Sequence, residues 1–292
     1  VSKIREIAEC IARCDVFTAL ADVAAENNFC KPIIDNSDDF IVKNGRHPVL
    51  EKILPLGEYV PNDLELKCNS TDTTQFMILT GPNMAGKSTY MRQNALIAIL
   101  AQIGSWVPAD YAKIGVIDKI FTRVGASDDL TLGQSTFMVE MIETACILNS
   151  ATDRSFILLD EIGRGTSTYD GVAIAWSVAE YIATKIKARC IFATHYHELN
   201  VMTKTYPQIK NYRITITEEN GEIEFLRKIV QGGASKSYGI QVAKMAGLPS
   251  SVVKRSQELM TRMQKDYSNN LSNRKKSGDV PTVEVPQLNL FN

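Results

Sequence analysis

Residues 81–88 have the types and spacing of a loop that binds phosphate. They read Gly-Pro-Asn-Met-Ala-Gly-Lys-Ser, which fits the pattern Gly-x-x-x-x-Gly-Lys-[Ser/Thr]. The glycines let successive backbone N–H groups point at an anion, and the helix that follows adds the partial positive charge of its N-terminus. In such a loop Lys87 reaches the β- and γ-phosphates and the Ser88 hydroxyl binds Mg²⁺. The motif predicts a nucleotide site formed by Gly81, Pro82, Asn83, Met84, Ala85, Gly86, Lys87, Ser88 and Thr89.

Two adjacent carboxylates, Asp160 and Glu161, follow the apolar run 156–159. Alone, such a pair could be two solvated side chains at the end of a strand. In a chain with a phosphate loop, Asp160 is suited to hold Mg²⁺ through water and Glu161 is suited to polarise an attacking water. An acid directly after the metal-binding residue favours hydrolysis over mere nucleotide holding.

His195 follows another apolar run, 190–194, and is predicted at the same sheet edge as the phosphate loop. A histidine there can donate a hydrogen bond to a γ-phosphate or to the attacking water. The alternative is an ordinary loop histidine. His197 makes a zinc pair with His195 conceivable, but no cysteine or third histidine accompanies them.

Two polar stretches, 127–136 and 163–168, adjoin predicted helices. Both could be plain loops with hydroxyl groups that cap a helix. The Ser135 and Thr136 hydroxyls at a helix N-terminus also form an anion site. A second anion site in a chain that already has one suggests a phosphate held between two subunits.

Alternating strands and helices are expected to position these residues. Short apolar runs predict buried strands at 76–80, 156–160 and 190–194, and helical spacing predicts helices at 88–103, 135–149 and 170–187. Strand–helix–strand units of these lengths pair in parallel with right-handed crossovers, which predicts a layered α/β fold.

The flanking regions have simpler patterns. A helix is predicted at 4–26, and a loop-rich stretch with short strands follows it. Two further helices are predicted at 237–246 and 250–264, separated by Gly247-Leu248-Pro249. From residue 266 the chain is polar and is predicted to be disordered.

Composition bounds the class of protein. The 292 residues are 45% hydrophobic, which is typical of a globular chain, and 32 Lys and Arg balance 33 Asp and Glu. That balance argues against a polybasic nucleic-acid binder.

No apolar run is long enough to span a membrane, and the start of the chain has no secretory signal. It also lacks an initiator Met, which suggests a piece of a longer protein. Six cysteines without a Cys-x-x-Cys pair are predicted to be reduced, buried thiols of a cytosolic protein rather than a disulfide framework.

Four motifs resemble, in order, those of the MutS family of DNA mismatch repair ATPases. They are residues 81–93, 133–141, 160–171 and 193–199. The similarity covers nearly the whole chain, from residues 15–21 through Arg46-His47-Pro48 to residues 234–243. It implies an ABC-type ATPase head that binds ATP or ADP with Mg²⁺, and whose two subunits form a homodimer with two composite sites.

The resemblance also implies roles for single residues. Ser88 and Asp160 (the Walker B acid) hold Mg²⁺, Glu161 serves as the base, and His195 contacts the γ-phosphate. Ser135 reaches across to the nucleotide of the partner subunit.

Tyr59 matches the position of an aromatic residue that stacks on adenine in the family, where Phe is more usual.

The implied organisation has four parts. Residues 1–30 are a helical stump of the core that carries the lever arms, 31–234 the P-loop ABC-type ATPase domain with its largely parallel sheet, 235–265 a helix–turn–helix dimerisation element, and 266–292 a disordered tail. A helix–turn–helix could also read DNA, but the resemblance implies packing on the partner head. Mismatched DNA would be bound by domains absent here, since no Phe is followed two residues later by Glu. The resemblance also implies other mismatch repair factors as partners, and a location in the cytoplasm at the nucleoid.

The end of the chain, Gln287-Leu288-Asn289-Leu290-Phe291, resembles the peptide by which bacterial replication proteins dock in a sliding clamp. Leu288, Leu290 and Phe291 would fill pockets on that partner, with Gln287 opening the motif.

Two other functions stay open. One is an ABC-type ATPase of the chromosome-organising or transporter kind, which usually carries Leu-Ser-Gly-Gly-Gln where this chain has Thr131-Leu-Gly-Gln-Ser. The other is a dimerisation and docking module with little turnover.

Overall fold

The computed structural model describes residues 1–68, 73–82, 85–124, 135–219, 222–234 and 238–276. The predicted site residues Asn83 and Met84 lie outside these ranges, as do the predicted clamp-docking residues Gln287, Leu288, Leu290 and Phe291. The chain divides into two compact units, one of residues 1–217 with 224–235 and the other of residues 218–223 with 236–292.

The secondary structure alternates as expected through the middle of the chain. In order, the elements are α1 (Ser2–Glu26), β1 (Ile33–Asp35), β2 (Phe40–Gly45), α2 (Leu50–Ile53), β3 (Asn62–Leu66), β4 (Phe76–Thr80), α3 (Lys87–Gln102), β5 (Tyr111–Gly115), β6 (Ile120–Arg123), α4 (Thr136–Ser150), β7 (Phe156–Asp160), α5 (Thr168–Tyr181), β8 (Arg189–Thr194), β9 (Ile209–Glu219), β10 (Glu222–Gln231), α6 (Gly239–Met245) and α7 (Ser250–Lys276). A π-helical turn, Ile182–Ile186, continues α5, and a 3₁₀ helix, His197–Lys204, follows β8.

The larger sheet has six strands in the order β10-β9-β4-β8-β7-β6. Strand β4 is parallel to β8 and β9, and β7 is parallel to β6 and β8. Thr80 pairs with Thr194, and Asp160 pairs with Ala193, so these strands end at one edge. The α/β prediction with a largely parallel sheet is confirmed.

Two apolar clusters cover the faces of this sheet. Alternate residues of a strand face opposite sides, so Met77 and Leu79 belong to one cluster while Phe76 and Ile78 belong to the other. The first cluster includes α3 and the smaller sheet, whose strand order is β1-β5-β2-β3. The second includes α5.

The cysteines are less buried than predicted. All six are free, but Cys10, Cys14 and Cys146 are exposed and only Cys190 is fully buried. The three exposed cysteines lie in α1 and α4. Apolar spacing predicts one face of such a helix to be buried, but it does not show which chain segment covers that face. In α1 only Ala24 is buried, while Ile4 and Ile7 are exposed.

The second unit contains the two helices that the pattern after residue 237 predicts. Gly247 ends the first with a left-handed φ of 87°, and the Leu248 N–H reaches back to the Ala243 carbonyl at 3.2 Å. Helix α7 continues to Lys276, so residues 266–276, predicted as disordered tail, are helical. A formed helix gains one hydrogen bond for each added residue, and no Gly or Pro interrupts the sequence before Gly278.

None of the described helices is long and apolar enough to cross a membrane.

Candidate nucleotide site

The described part of the loop after β4 has two glycines with positive φ and a buried amine, both of which suit phosphate binding. Gly81 and Gly86 have φ values of 152° and 107°, which side chains other than glycine rarely adopt. The Lys87 amine lies inside the loop and donates to the carbonyls of Gly81 at 2.6 Å and Pro82 at 3.2 Å. Burial lowers the pKa of Lys87 to about 8, against the opposite effect of the Glu161 and Asp160 carboxylates. A bound phosphate would favour the charged amine.

Ser88 and Asp160 meet although 72 residues separate them. The Ser88 hydroxyl donates to Asp160 Oδ2 at 2.6 Å. The other carboxylate oxygen, Oδ1, is buried and has no hydrogen-bond partner among the described residues. Burial raises the pKa of Asp160, against the hydrogen bond from Ser88. A hydroxyl beside a carboxylate with a vacant lone pair is a donor set that fits Mg²⁺, which prefers oxygen ligands.

Glu161 lies between the His195 imidazole and the Arg164 guanidinium at the edge of the sheet. Its carboxylate contacts His195 Nε2 and the Arg164 guanidinium. Burial acts to raise the pKa of Glu161, but the hydrogen bond from His195 and the charges of His195, Arg164 and Lys87 outweigh it, so the pKa is lowered. The carboxylate is therefore ionised, as a base must be.

The backbone at Glu161 is unusual. Its φ is 58°, a left-handed conformation that costs a non-glycine residue about 1–2 kcal/mol. Its N–H donates to the carbonyl of Ala193 in β8, two residues before His195, at 2.9 Å. Strained backbone of this kind persists only where surrounding contacts hold it.

Ser135 caps α4 instead of joining these residues. Its hydroxyl oxygen accepts the Met138 N–H at 3.2 Å, as expected of an N-cap, and the residue is exposed. Thr136, the first residue of α4, is exposed as well. Residues 125–134, including most of the predicted polar stretch, lie outside the described residues.

A cavity of about 240 Å³ lies beside the phosphate loop. Tyr59 lines it together with Gly86, Thr89 and Gln93, and the Tyr59 hydroxyl donates to Gln93 Oε1 at 2.6 Å. Burial raises the pKa of Tyr59 to about 12, so its hydroxyl stays protonated. The cavity thus places an aromatic ring close to the phosphate loop.

Sequence reasoning missed several members of this site. Gln93 ends the first of the four motifs and Arg164 lies inside the third, but their spacing assigns a role to neither. Arg227, which also lines the cavity, had no sequence signal because it comes from the distant β10. His197, by contrast, is exposed, and the described residues contain no group of three or more His, Cys, Asp or Glu that could hold a metal.

Known proteins resemble the chain over most of its length. Residues 77–264 match the family model described as MutS domain V. The DNA mismatch repair protein MutS of Thermodesulfovibrio yellowstonii is 54% identical over 99% of this chain and 33% of its own length. Those of Phocaeicola vulgatus and Clostridium botulinum (strain Langeland) are 52% and 51% identical, over 94% and 100% of this chain and 31% and 32% of their own lengths. The chain thus spans about a third of the curated relatives it matches.

Proposed function

The chain belongs to the MutS family of mismatch repair proteins, and from that membership we propose that it binds and hydrolyses ATP at sites shared by two subunits. One observation carries the proposal: a phosphate loop, a Ser88–Asp160 pair and a Glu161–His195 pair lie at the ends of three neighbouring parallel strands. Ligands of α/β sheets bind at this edge.

The phosphates would lie in the loop formed by residues 81–88. Lys87 supplies a positive charge there, and the helix that begins at Lys87 adds the partial charge of its N-terminus. The Ser88 hydroxyl and Asp160 would hold Mg²⁺, which would supply positive charge to offset the negative charge of the phosphates. Tyr59 would stack on the adenine in the adjoining cavity.

Hydrolysis would use Glu161 as base. The carboxylate accepts a hydrogen bond from a water and takes its proton as the water oxygen bonds to the γ-phosphorus. The bond from that phosphorus to the ADP oxygen breaks, which leaves ADP and inorganic phosphate. His195, in contact with Glu161, would donate to the γ-phosphate.

The second subunit would complete each site through Ser135. Its exposure at the start of α4 supports a role across an interface, because its hydroxyl caps its own helix and bonds to no described residue of the phosphate loop. We assign residues 31–234 to the ATPase domain, 1–30 to the stump of the adjoining core domain and residues 235–265 to dimerisation. Residues 287–291 would dock on a sliding clamp.

In the longer protein, nucleotide state would switch the conformation of a clamp on mismatched DNA, bound by domains outside this chain. Other repair factors would bind the longer protein, which would work in the cytoplasm at the nucleoid.

Steady-state hydrolysis tests the shared site. The rate per chain, measured with Mg²⁺ and saturating ATP, is expected to rise with protein concentration and then level off as the dimer forms. Sedimentation with and without ATP and Mg²⁺ should show association over the same range. A rate close to zero at every concentration would favour a docking module, and a constant high rate from a monomer would contradict the shared site.

Ser135→Ala tests the assignment across the interface. The variant is expected to bind the first ATP with wild-type affinity but to lose roughly 10- to 100-fold in hydrolysis, because the missing hydroxyl acts on the other subunit's phosphate. Its lost N-cap costs about 1 kcal/mol of stability, and Ser135→Asn, which keeps a cap, controls for that. Equal loss of binding and hydrolysis in a monomeric preparation would contradict the assignment.

A further inference from the structure

Gly163, two residues after Glu161, has both backbone polar groups held by side chains from other elements. Its N–H donates to Glu140 Oε1 at 2.5 Å, and its carbonyl accepts the Tyr196 hydroxyl at 2.9 Å. Glu140 comes from α4, and Tyr196 directly follows His195. The peptide groups on either side of Gly163 are thus held by two elements that are distant from it in the sequence.

The Glu140 carboxylate is buried, with a side chain only 7% exposed. Its compensating charge is Arg123, the last residue of β6, whose guanidinium lies 3.4 Å from Glu140 Oε2. Arg123 is 5% exposed and also pairs with the half-exposed Glu143 at 2.9 Å. A buried ion pair adds little stability over apolar residues of the same size. The Arg123–Glu140 pair instead holds a charged carboxylate where it can accept the hydrogen bond from the Gly163 N–H.

Packing around Gly163 leaves no room for a side chain. Its φ is 94°, and a Cβ there would lie 2.5 Å from the Gly171 carbonyl oxygen. A Cβ on Gly171 would in turn lie 2.4 Å from the Tyr196 hydroxyl. On the other side, Ile162 is fully buried and the Glu161 N–H is bonded to Ala193. The left-handed Glu161 is therefore held from both sides.

We propose that Glu140 and Tyr196 are positioning residues that hold the Gly163 backbone and thereby aim the Glu161 carboxylate at its water. The inference rests on the proposed role of Glu161 in hydrolysis. Glu140 and Tyr196 act through the backbone, whereas Glu161 and His195 act on the reactants. Misplacing a catalytic carboxylate by about 1 Å can lower the rate about 100-fold. Loss of either positioning residue is therefore expected to lower kcat rather than nucleotide affinity.

Tyr196→Phe and Glu140→Ala, each made in the full chain, test this. Each is expected to lower kcat by about 10- to 100-fold while the affinity for a fluorescent ATP analogue stays within about threefold. Glu140→Gln should recover most of the loss, because its amide oxygen can still accept the Gly163 N–H. Glu143→Gln is the matched control: it also removes a partner of Arg123 but leaves Gly163 untouched, and its kcat should equal that of the wild type.

Hydrogen exchange gives a second readout that needs no activity. Amides of residues 161–165 should exchange faster in Glu140→Ala and Tyr196→Phe than in the wild type, while those of the β4 strand should not. The two substitutions together should lower kcat by less than the product of their separate effects, since both release the same residue, Gly163.

The outcomes separate the two proposals. An inactive wild type whose 161–165 amides still respond to the variants would refute the proposed hydrolysis. An active wild type whose kcat is unchanged in Tyr196→Phe and Glu140→Ala would refute the positioning role. So would a loss shared equally between kcat and nucleotide affinity, or one that Glu140→Gln does not relieve.

Discussion

Glu161→Gln is expected to lower kcat for ATP hydrolysis by roughly 10²- to 10⁴-fold and to leave ATP affinity within a few fold of wild type. Glutamine has the shape of glutamate and can still accept a hydrogen bond from His195, so the site keeps its form. It carries no charge and cannot take the proton of the attacking water. The measurement is phosphate release at saturating ATP, paired with equilibrium binding of a fluorescent ATP analogue.

The matched control for that variant is Glu198→Gln. Glu198 is an exposed carboxylate three residues after His195, in the first turn of the 3₁₀ helix. Glu198→Gln changes the local charge by the same amount but leaves Glu161 in place, so the rate of ATP hydrolysis should stay at the wild-type value. A Glu161→Gln variant that hydrolyses ATP at the wild-type rate would remove Glu161 from its assigned role.

The sheet and its edge could be predicted because their signals are local. The runs 76–80, 156–160 and 190–194 are continuous and largely apolar. Each proved to lie in a strand buried on both faces, apart from the partly exposed Asp160 at the end of β7. Parallel pairing then follows from the helices between them. Strand ends that share one edge are enough to predict that Ser88 lies near Asp160 and that Glu161 lies near His195.

The supporting contacts could not be predicted, because they join residues far apart in the sequence. Glu140 reads as one more polar position on an amphipathic helix, and only the fold reveals that it is buried against Gly163. The same holds for Tyr59, whose partner Gln93 lies 34 positions away. Helix α1 shows the converse limit: its apolar spacing predicts a helix correctly but cannot say what covers Ile4 and Ile7.

Lys87→Ala is expected to abolish hydrolysis, with a loss of at least 10²- to 10³-fold, and to weaken ATP binding at least about tenfold. The amine is buried in the loop and bonded to the Gly81 and Pro82 carbonyls, so it already lies where the phosphates of a bound nucleotide would meet it. A charge-assisted hydrogen bond contributes roughly 1.5–3 kcal/mol, which accounts for the lost affinity.

Removing the Lys87 amine should not lower the free energy of unfolding much, because burial disfavours the charged amine in the nucleotide-free protein. Titration with the fluorescent ATP analogue and thermal unfolding measure the two quantities, and Lys185→Ala, an exposed lysine after α5, is the control. Wild-type affinity and rate in Lys87→Ala would show that the loop does not bind the triphosphate through this amine.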